Sequence, residues 1–323
     1  MNSSHPPIAL INKFPDFSAP GFNMEAYNNS FKTSNIIINA KASKVAYTEH
    51  WGCFSIKCAF NGEEIYKVQN RVYAVNEKKF LILNEGEHYS SYIFSENPVE
   101  SFTLNFTPGF IGEVKDAAIL SIEKNLDNDS ASQNGETAFV EKLYLHNNAI
   151  SPLIMRIKCL TNNFNENKER IMELYYQLMH KIFQLDKEVS NEINSVKACK
   201  NSTRRELYKR LHYAKDYIDS CYTSEITLHQ LSQVTLMNSA YFLRQFKKHF
   251  GTTPYQYLMQ KRMCAALDMI HKTDMPVVDV CNAVGYEDVS SFAKLFKKYH
   301  GISPERYSNH ILKKSVFTFT IFS

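Results

Sequence analysis

Two hydrophobic periodicities divide the chain. Between about residues 20 and 115, short apolar runs such as NIIINA, FSIKCAF, RVYAV, KFLIL, SYIFS and SFTLNF are separated by turn residues. Short runs rich in β-branched and aromatic residues at this spacing are typical of an antiparallel sandwich or barrel. From about residue 137 onward the apolar positions follow the period of an α-helix instead. The sequence therefore predicts an α+β protein, with an antiparallel β-barrel first and helices after it.

The first helical stretch has one apolar stripe, which predicts an amphipathic helix over residues 168–186. The stripe consists of Ile171, Leu174, Tyr175, Leu178, Ile182 and Leu185. It either supplies dimer contacts or packs on the sheet, and both roles require the same pattern. The segment KNSTRRE at 200–206 is polar and basic, so we interpret it as a linker or a helix start. Helical patterns then continue to about Tyr307.

One sequence motif occurs twice in the helical part of the chain. FLRQFKKHFGTTPYQY occupies residues 242–257 and FAKLFKKYHGISPERY occupies residues 292–307, an offset of fifty. Seven of the sixteen aligned positions are identical, including both phenylalanines, the Lys-Lys pair, the glycine, the proline and the final tyrosine. Each copy predicts a helix of about three turns that ends at the glycine.

Both repeated helices carry the same division into faces. Asn238 and Asp288 precede them as N-caps. The phenylalanines share one side with His249 in the first copy and with Tyr299 and His300 in the second, and we expect this side to pack inward. The opposite sides hold small, uncharged or basic residues and no acid: Ala240, Leu243, Arg244 and Lys247, then Ser290, Ala293, Lys294 and Lys297. Small side chains allow close approach to a surface, and Arg or Lys beside them can reach phosphate or a guanine edge.

A shorter helix precedes each copy, which predicts two helix-turn-helix units. In the first short helix, Thr227 and Gln230 form a capping-box pair, and Leu228 and Leu231 belong to the inward stripe. A longer helix over residues 255–271 joins the units; seventeen residues span about 25 Å. Since successive major grooves lie about 34 Å apart, this helix can hold two recognition helices in adjacent grooves. The alternative is a helical array that binds protein, although such arrays usually have three or more repeats.

The charge distribution and the cysteine content indicate the kind of partner and the cellular compartment. From residue 201 to the last residue there are 17 Lys and Arg against 10 Asp and Glu, a net of +7, and residues 1–200 hold 20 against 23, a net of −3. The excess of positive charge fits a polyanion partner or a solvated face. Seven scattered cysteines without a C-x-x-C spacing fit reduced thiols in the cytoplasm. No signal peptide and no apolar run near the ~20 residues of a membrane helix is found.

Residues 205–307 resemble the DNA-binding domain of AraC/XylS-type transcription regulators. The resemblance depends on LSQVTLMNSAYFLRQFKKHFGTTPYQYLMQKR and on PVVDVCNAVGYEDVSSFAKLFKKYHGISPERY, above all Gly285-Tyr286 followed by the second repeat. It implies seven helices in two helix-turn-helix units, with double-stranded DNA as partner and the eight outward residues as the contacting set. Leu243 stands where a polar contact is frequent, so it either touches a thymine methyl or packs. Lys294 replaces a commoner arginine, which favours phosphate contact over guanine reading.

Residues 20–115 resemble the cupin-type sensor and dimerisation domain found in front of such modules. The resemblance depends on the spacing of the predicted strands and on the segment KKFLILNEGEHYSSY. The resemblance implies a dry pocket for a small organic effector, lined by Phe and Tyr, or a domain that only dimerises or binds a partner protein. His50 and His88 are isolated and no His-x-His occurs, so no metal site and no cofactor is expected.

The sequence as a whole predicts a DNA-binding transcription regulator and no enzyme. Members of the family that the chain resembles are more often activators, which implies RNA polymerase as a partner. We also expect a homodimer. The alternative is a cupin-type enzyme with an accessory DNA-binding domain. The alternating tail SVFTFTIFS either docks on a domain surface or is disordered. The expected domains are a cupin-like domain (1–136), a helical region and linker (137–200), the DNA-binding domain (201–310) and the tail (311–323).

Overall fold

The structure is a computed structural model that describes residues 6–123, 138–196 and 201–309. The chain divides into two compact units, Met1–Lys209 and Arg210–Ser323. The predicted tail, residues 311–323, lies outside the described residues. The four domain limits drawn from the sequence stay a prediction.

Among its described residues, the first unit contains eight strands and four α-helices. It also contains the start of a further helix, which crosses the boundary into the second unit. The strands are β1 (Ile8–Ile11), β2 (Asn35–Trp51), β3 (Ser55–Phe60), β4 (Glu63–Val68), β5 (Arg71–Asn76), β6 (Lys79–Leu83), β7 (His88–Asn105) and β8 (Leu143–Leu145). The helices are α1 (Met24–Thr33), α2 (Pro108–Glu123), α3 (Ser151–Leu160) and α4 (Phe164–Ser195), with a 3₁₀ turn, Thr161–Asn163, before α4.

Strand β7 organises the sheet, since both of its edges are paired along most of their length. One edge pairs with β2, from Ile36 opposite Asn105 to Trp51 opposite His88. The other edge pairs with β3 and then with β4. Strand β6 continues from β3, and β5 links β6 back to β4, so the pairings close into a ring. The predicted N-terminal antiparallel barrel is confirmed.

The ring closes because a turn bends the chain without reversing it. Asn61 and Gly62 have φ of 61° and 145°, between β3 and β4. Both strands run antiparallel to β7, so Asn61 and Gly62 make a kink and not a hairpin. The sequence runs SYIFS and SFTLNF, which we expected to be separate strands, belong to β7 alone. Strand β4 was not predicted.

Alternate residues of the barrel strands are buried on two different sides. One side packs with the helices in a single apolar cluster, to which the strands contribute Ile56, Cys58, Phe80, Ile82, Phe102 and Leu104. The α4 stripe belongs to the same cluster, with the rings of Tyr175 and Phe106 centred 4.9 Å apart. The stripe therefore packs on the sheet, which decides between the two roles left open above. The opposite side of the strands faces the barrel interior, where Ala59, Tyr66 and Leu81 are buried.

Seven helical segments follow from residue 201 to the end of the described residues. They are α5 (Asn201–Cys221), which contains the boundary between units, α6 (Leu228–Thr235), α7 (Ser239–Phe250), α8 (Pro254–Lys272), α9 (Val277–Ala283), α10 (Val289–His300) and residues 304–309. Nineteen residues make α8 about 28 Å long. The predicted all-α C-terminal domain is confirmed.

The core of the second unit forms around the repeated phenylalanines. Phe242, Phe246, Phe292 and Phe296 are all fully buried. Phe292 and Phe296 pack in one cluster with the apolar stripe of α8, including Met263, Ala266 and Ile270. Two inward expectations were wrong. Tyr299 is 40% exposed and Leu228 is 40% exposed, because each lies at the edge of a buried stripe on a short amphipathic helix.

The two glycines that follow α9 and α10 offer a matched test of this packing. Both have φ of +83°, but a Cβ at Gly285 would lie 2.3 Å from the Thr223 carbonyl oxygen, whereas nothing lies within 4 Å of one at Gly301. We expect Gly301→Ala to reduce the free energy of unfolding by about 1 kcal/mol, the cost of left-handed backbone. Gly285→Ala should reduce it by about 3 kcal/mol or more, because backbone must also move.

Hydrogen exchange of amides in α9 and α10 measures both effects locally. Equal losses of protection in the two variants would contradict the close approach at Gly285.

Candidate functional site

Side-chain caps set the first residue of each repeated helix. The Asn238 side-chain oxygen accepts from the backbone N–H groups of Ala240 (3.0 Å) and Tyr241 (3.4 Å). The Asp288 carboxylate accepts from Ser290 N–H (3.2 Å) and Ser291 N–H (2.8 Å). These bonds satisfy N–H groups that a helix N-terminus otherwise leaves open. At the other ends, Gly251 and Gly301 adopt φ of 73° and 83°, as helix-terminating glycines do. Both copies thus begin and end at equivalent positions, which keeps their faces equivalent.

The structure places the eight predicted contact residues on the outer faces of α7 and α10. Seven are exposed and Ala293 is half-buried. Leu243 is 37% exposed although Phe242 beside it is fully buried, so Leu243 is not part of the core. The four residues of α7 share one face, as do the four of α10, because they recur at helical spacing. Neither helix contains an acidic residue. The arrangement is a pair of cationic helix faces on which small or uncharged residues accompany the charges.

Each short helix contacts the chain that follows it through a small buried residue. Ser232 of α6 is buried, and its hydroxyl lies 2.8 Å from the Ser239 hydroxyl at the start of α7. Cys281 of α9 is fully buried, and its thiol donates to the Tyr286 carbonyl at 3.6 Å. The predicted capping box of Thr227 and Gln230 is present at the start of α6.

Arg262 positions the second helix-turn-helix unit, and sequence reasoning missed this role. The residue is 8% exposed, and its guanidinium donates to three carbonyl oxygens: Tyr222 at 2.7 Å, Ser224 at 2.8 Å and Gly285 at 2.9 Å. It also lies over the Tyr286 ring, 5.3 Å from the centroid. A signal existed, since position 262 falls on the apolar stripe of α8. A charged residue on a buried stripe requires partners.

Asp219 neutralises part of the positive charge inside the second unit. Its buried carboxylate lies 3.2 Å from Lys215 Nζ and 3.6 Å from Lys261 Nζ. The Tyr257 hydroxyl donates to the same carboxylate at 3.0 Å. Lys215 and Lys261 are therefore paired within the fold, whereas the lysines of α7 and α10 point outward.

The first unit contains a cavity inside the barrel, open at its mouth, with about 60 Å³ of space for the centres of water-sized molecules. Aromatic side chains form much of its wall: Phe17, Tyr27, Tyr47, Trp51, Tyr66 and Tyr89. The segment before α1 covers part of it, since the rings of Phe17 and Tyr47 are centred 4.9 Å apart and the Tyr47 hydroxyl donates to the Pro15 carbonyl at 2.8 Å. The wall is aromatic as expected. It is not apolar throughout, because Lys57 and Glu64 also line it.

The two histidines considered from sequence do not form a metal site in the described structure. His50 Nδ1 lies 2.8 Å from the Thr48 carbonyl oxygen, and its ring is 4.4 Å from the Tyr89 ring. Within residues 6–123, 138–196 and 201–309, no group of three or more His, Cys, Asp or Glu side chains could hold a metal ion. None of the helices that the structure describes is long and apolar enough to cross a membrane.

Comparison with known proteins identifies the second unit. The helix-turn-helix domain family matches residues 231–310. The lactose operon transcription activator of Staphylococcus xylosus is 27% identical over 168 residues, which are 50% of this chain and 54% of that protein. The probable transcriptional regulator LumQ of Photobacterium leiognathi is 33% identical over 92 residues, 28% of this chain and 37% of that protein. The chain thus spans about half or less of the length of these relatives.

A solved structure is also similar over the same part. It is the C-terminal domain of the two-component response regulator yesN from Fusobacterium nucleatum, 36% identical, covering 29% of this chain and 93% of that one, with a TM-score of 0.29. From the family match and the two sequence relatives, residues 231–310 are a helix-turn-helix domain of AraC type, and the resemblance drawn from the repeated motifs is confirmed.

Arg262 provides a test of how the second unit is held. Arg262→Met should lower the local free energy of unfolding by about 3 kcal/mol or more, because three carbonyl oxygens lose their hydrogen bonds to a buried, charged donor. The local free energy of unfolding of Arg262→Lys should lie between those of Arg262→Met and the wild type, since one ammonium cannot reach three carbonyls as a planar guanidinium does. Hydrogen exchange of the amides of α8, α9 and α10 reports the change, because a chain of two units need not unfold in one transition. Wild-type protection in Arg262→Met would contradict the assigned role.

Proposed function

We propose that the protein is a transcription regulator that binds double-stranded DNA through α7 and α10, each in one of two adjacent major grooves. The observation that carries the proposal is the pair of matching outer faces, capped at equivalent positions and anchored by fully buried phenylalanines. A helix with small and basic outward residues suits a major groove, where backbone approach and phosphate contact occur together.

The eight outward residues receive roles according to their chemistry. Arg244 has the planar fork that binds the O6 and N7 atoms of guanine, so we assign it base reading. Lys247, Lys294 and Lys297 are compact charges suited to phosphate. Ala240, Ser290 and Ala293 allow close approach to the groove floor. Leu243 contacts the methyl group of a thymine, since it is exposed and apolar at the centre of the face.

The first unit is the regulatory part in this proposal. Its cavity takes a small organic effector, and the chain works in the cytoplasm as a homodimer. Relatives of the chain are named as transcription regulators, among them a lactose operon transcription activator and a raffinose operon transcriptional regulatory protein. The first of these names supports activation and a contact with RNA polymerase. The same names support a non-enzymatic function, and nothing in them favours a cupin-type enzyme with an accessory DNA-binding domain.

Adjacent lysines of α7 offer a matched pair for testing the interface. The full chain should bind a duplex selected from a randomised pool, with log K falling linearly as log salt rises, because phosphate neutralisation releases counterions. Lys247→Ala should reduce the magnitude of that slope by about 1. Lys248→Ala should leave it unchanged, since Lys248 is exposed but points about 90° away from the outer face.

Absence of salt-dependent binding to any selected duplex would overturn the function. Equal effects of the two lysine variants would instead overturn the assignment of the outer face.

The proposed contact between Leu243 and a thymine methyl group can be tested by removing that methyl group. Replacing the contacted thymine of the selected duplex by deoxyuridine should weaken binding of the wild type about fourfold, the effect of one buried methyl at ~0.8 kcal/mol. The same replacement should not change binding of Leu243→Ala, which no longer reaches the methyl. Fluorescence anisotropy on matched duplexes measures both. A loss of equal size in the wild type and the variant would show that Leu243 does not read that methyl.

A further inference from the structure

The exterior of the barrel carries a large aromatic side chain on its central strand. Phe94 of β7 is 80% exposed, more than any other large apolar side chain among the described residues. Strand β7 pairs with β2 along one edge and with β3 and β4 along the other, so Phe94 does not lie on an edge strand. Single exposed apolar residues are common, but a contiguous exposed patch marks a binding surface.

The neighbours of Phe94 show that it belongs to such a patch. Tyr92 and Phe94 both point away from the barrel interior, because Ile93 between them is buried in the interior cluster. On β2, Ala46 lies opposite Tyr92 and Lys44 lies opposite Phe94, and both are exposed. Aromatic and aliphatic surface therefore extends from β7 onto β2.

Strand β4 continues the same surface on the other side of β7. Ile65 lies opposite Tyr92 and is half-buried. Glu63 is exposed two residues before Ile65, and the residue between them, Glu64, is buried inside the barrel. The exterior patch is defined as Lys44, Ala46, Glu63, Ile65, Tyr92 and Phe94.

The exterior patch carries one charge of each sign, on the two sides of Phe94. The Lys44 ammonium, on the β2 side, lies over the Phe94 ring at 5.3 Å from its centroid. The Glu63 carboxylate is on the β4 side. Covering the patch removes both charges from water, which is costly unless each meets an opposite charge. A partner must therefore present an apolar group to Phe94, a carboxylate to Lys44 and an ammonium to Glu63.

A second copy of this chain meets all three requirements. In a twofold-symmetric interface the same patch is used on both subunits, so residue i contacts residue j while j contacts i. When two copies face each other across an axis that runs along β7, the β2 side of one meets the β4 side of the other. Phe94 then meets Phe94 of the partner subunit, and Lys44 meets Glu63 of the partner subunit.

The apolar stripe of α4 does not compete for this role. The stripe is buried in the core of its own chain, in one cluster with the barrel strands. The exposed side of α4 is polar near its start, where it carries Glu166, Glu169, Arg170 and Glu173. An exposed aromatic side chain is a better centre for an interface than such a charged surface, because buried aromatic anchors supply much of the binding free energy.

We propose that the exterior patch is the surface through which two copies of the chain form a homodimer. The two Phe94 rings pack at the centre, and one Lys44–Glu63 ion pair forms between the subunits on each side of them. The inference rests on the proposed function for the existence of a homodimer, and it assigns that homodimer a surface made of strands and not of helices.

Sedimentation equilibrium of the full chain without DNA measures the dissociation constant of the dimer. Phe94→Asp should raise this constant at least about a hundredfold, because two aromatic anchors are lost per dimer. Leu145→Asp is the matched control. Leu145 is 65% exposed on β8, outside the exterior patch, so this variant should dimerise as the wild type does.

Two charge reversals test the pairing of the subunits. Lys44→Glu and Glu63→Lys each place like charges opposite one another, so each variant alone should dimerise at least about tenfold more weakly than the wild type. An equimolar mixture of the two variants should dimerise about as tightly as the wild type, because each supplies the charge that the other lacks. A defect in folding would not be rescued by mixing.

Three outcomes overturn the proposal: a wild-type chain that stays monomeric throughout the micromolar range, a Phe94→Asp variant that dimerises as tightly as the wild type, or a mixture that dimerises no better than its components. If Phe94→Asp does not fold, the charge reversals carry the test. Salt-dependent binding of the same wild-type preparation to the selected duplex is measured separately. Its absence would be a failure of the proposed function, whereas DNA binding by a chain that fails the dimer tests would be a failure of the exterior patch alone.

Discussion

The burial of two phenylalanines on one side of each repeated helix is the constraint on which the second unit depends. Phe242 and Phe246 in α7, and Phe292 and Phe296 in α10, are fully buried. Each pair is separated by four residues, so it fixes the rotation of its helix about its own axis. The outward face is then whatever lies opposite, and in both copies that face is small and basic. The N-caps at one end and the glycines at the other fix the length of each helix, and so the length of its outward face.

The first unit uses alternation along strands for a comparable purpose. One side of β3, β6 and β7 is apolar and packs with α4, which closes the core. The other side faces inward, where the chain places Lys57, Glu64 and the polar residues of β7. A barrel can bury both sides of a strand, so one periodic pattern produces a core and a lined cavity together.

Much of the second unit could be predicted from the sequence because its determinants are local. Helix starts, helix stops and the apolar stripe of α8 depend on residues within a few turns of each other, and a fifty-residue repeat marks the faces twice. The barrel was harder to predict because strand pairing depends on contacts distant in sequence. The kink at Asn61-Gly62 resembles a hairpin turn locally, and only the pairing with β7 shows that the chain continues in one direction. Arg262 was missed for a similar reason, since its three carbonyl partners come from two distant loops.

In the proposed function, one chain places two helices in consecutive major grooves on the same side of a duplex. Hydroxyl-radical footprinting of the full chain on a selected duplex measures this placement. We expect two protected tracts on one face of the DNA, centred about 10 base pairs apart. A single tract, or two tracts on opposite faces of the duplex, would show that the two helices do not bind in this way.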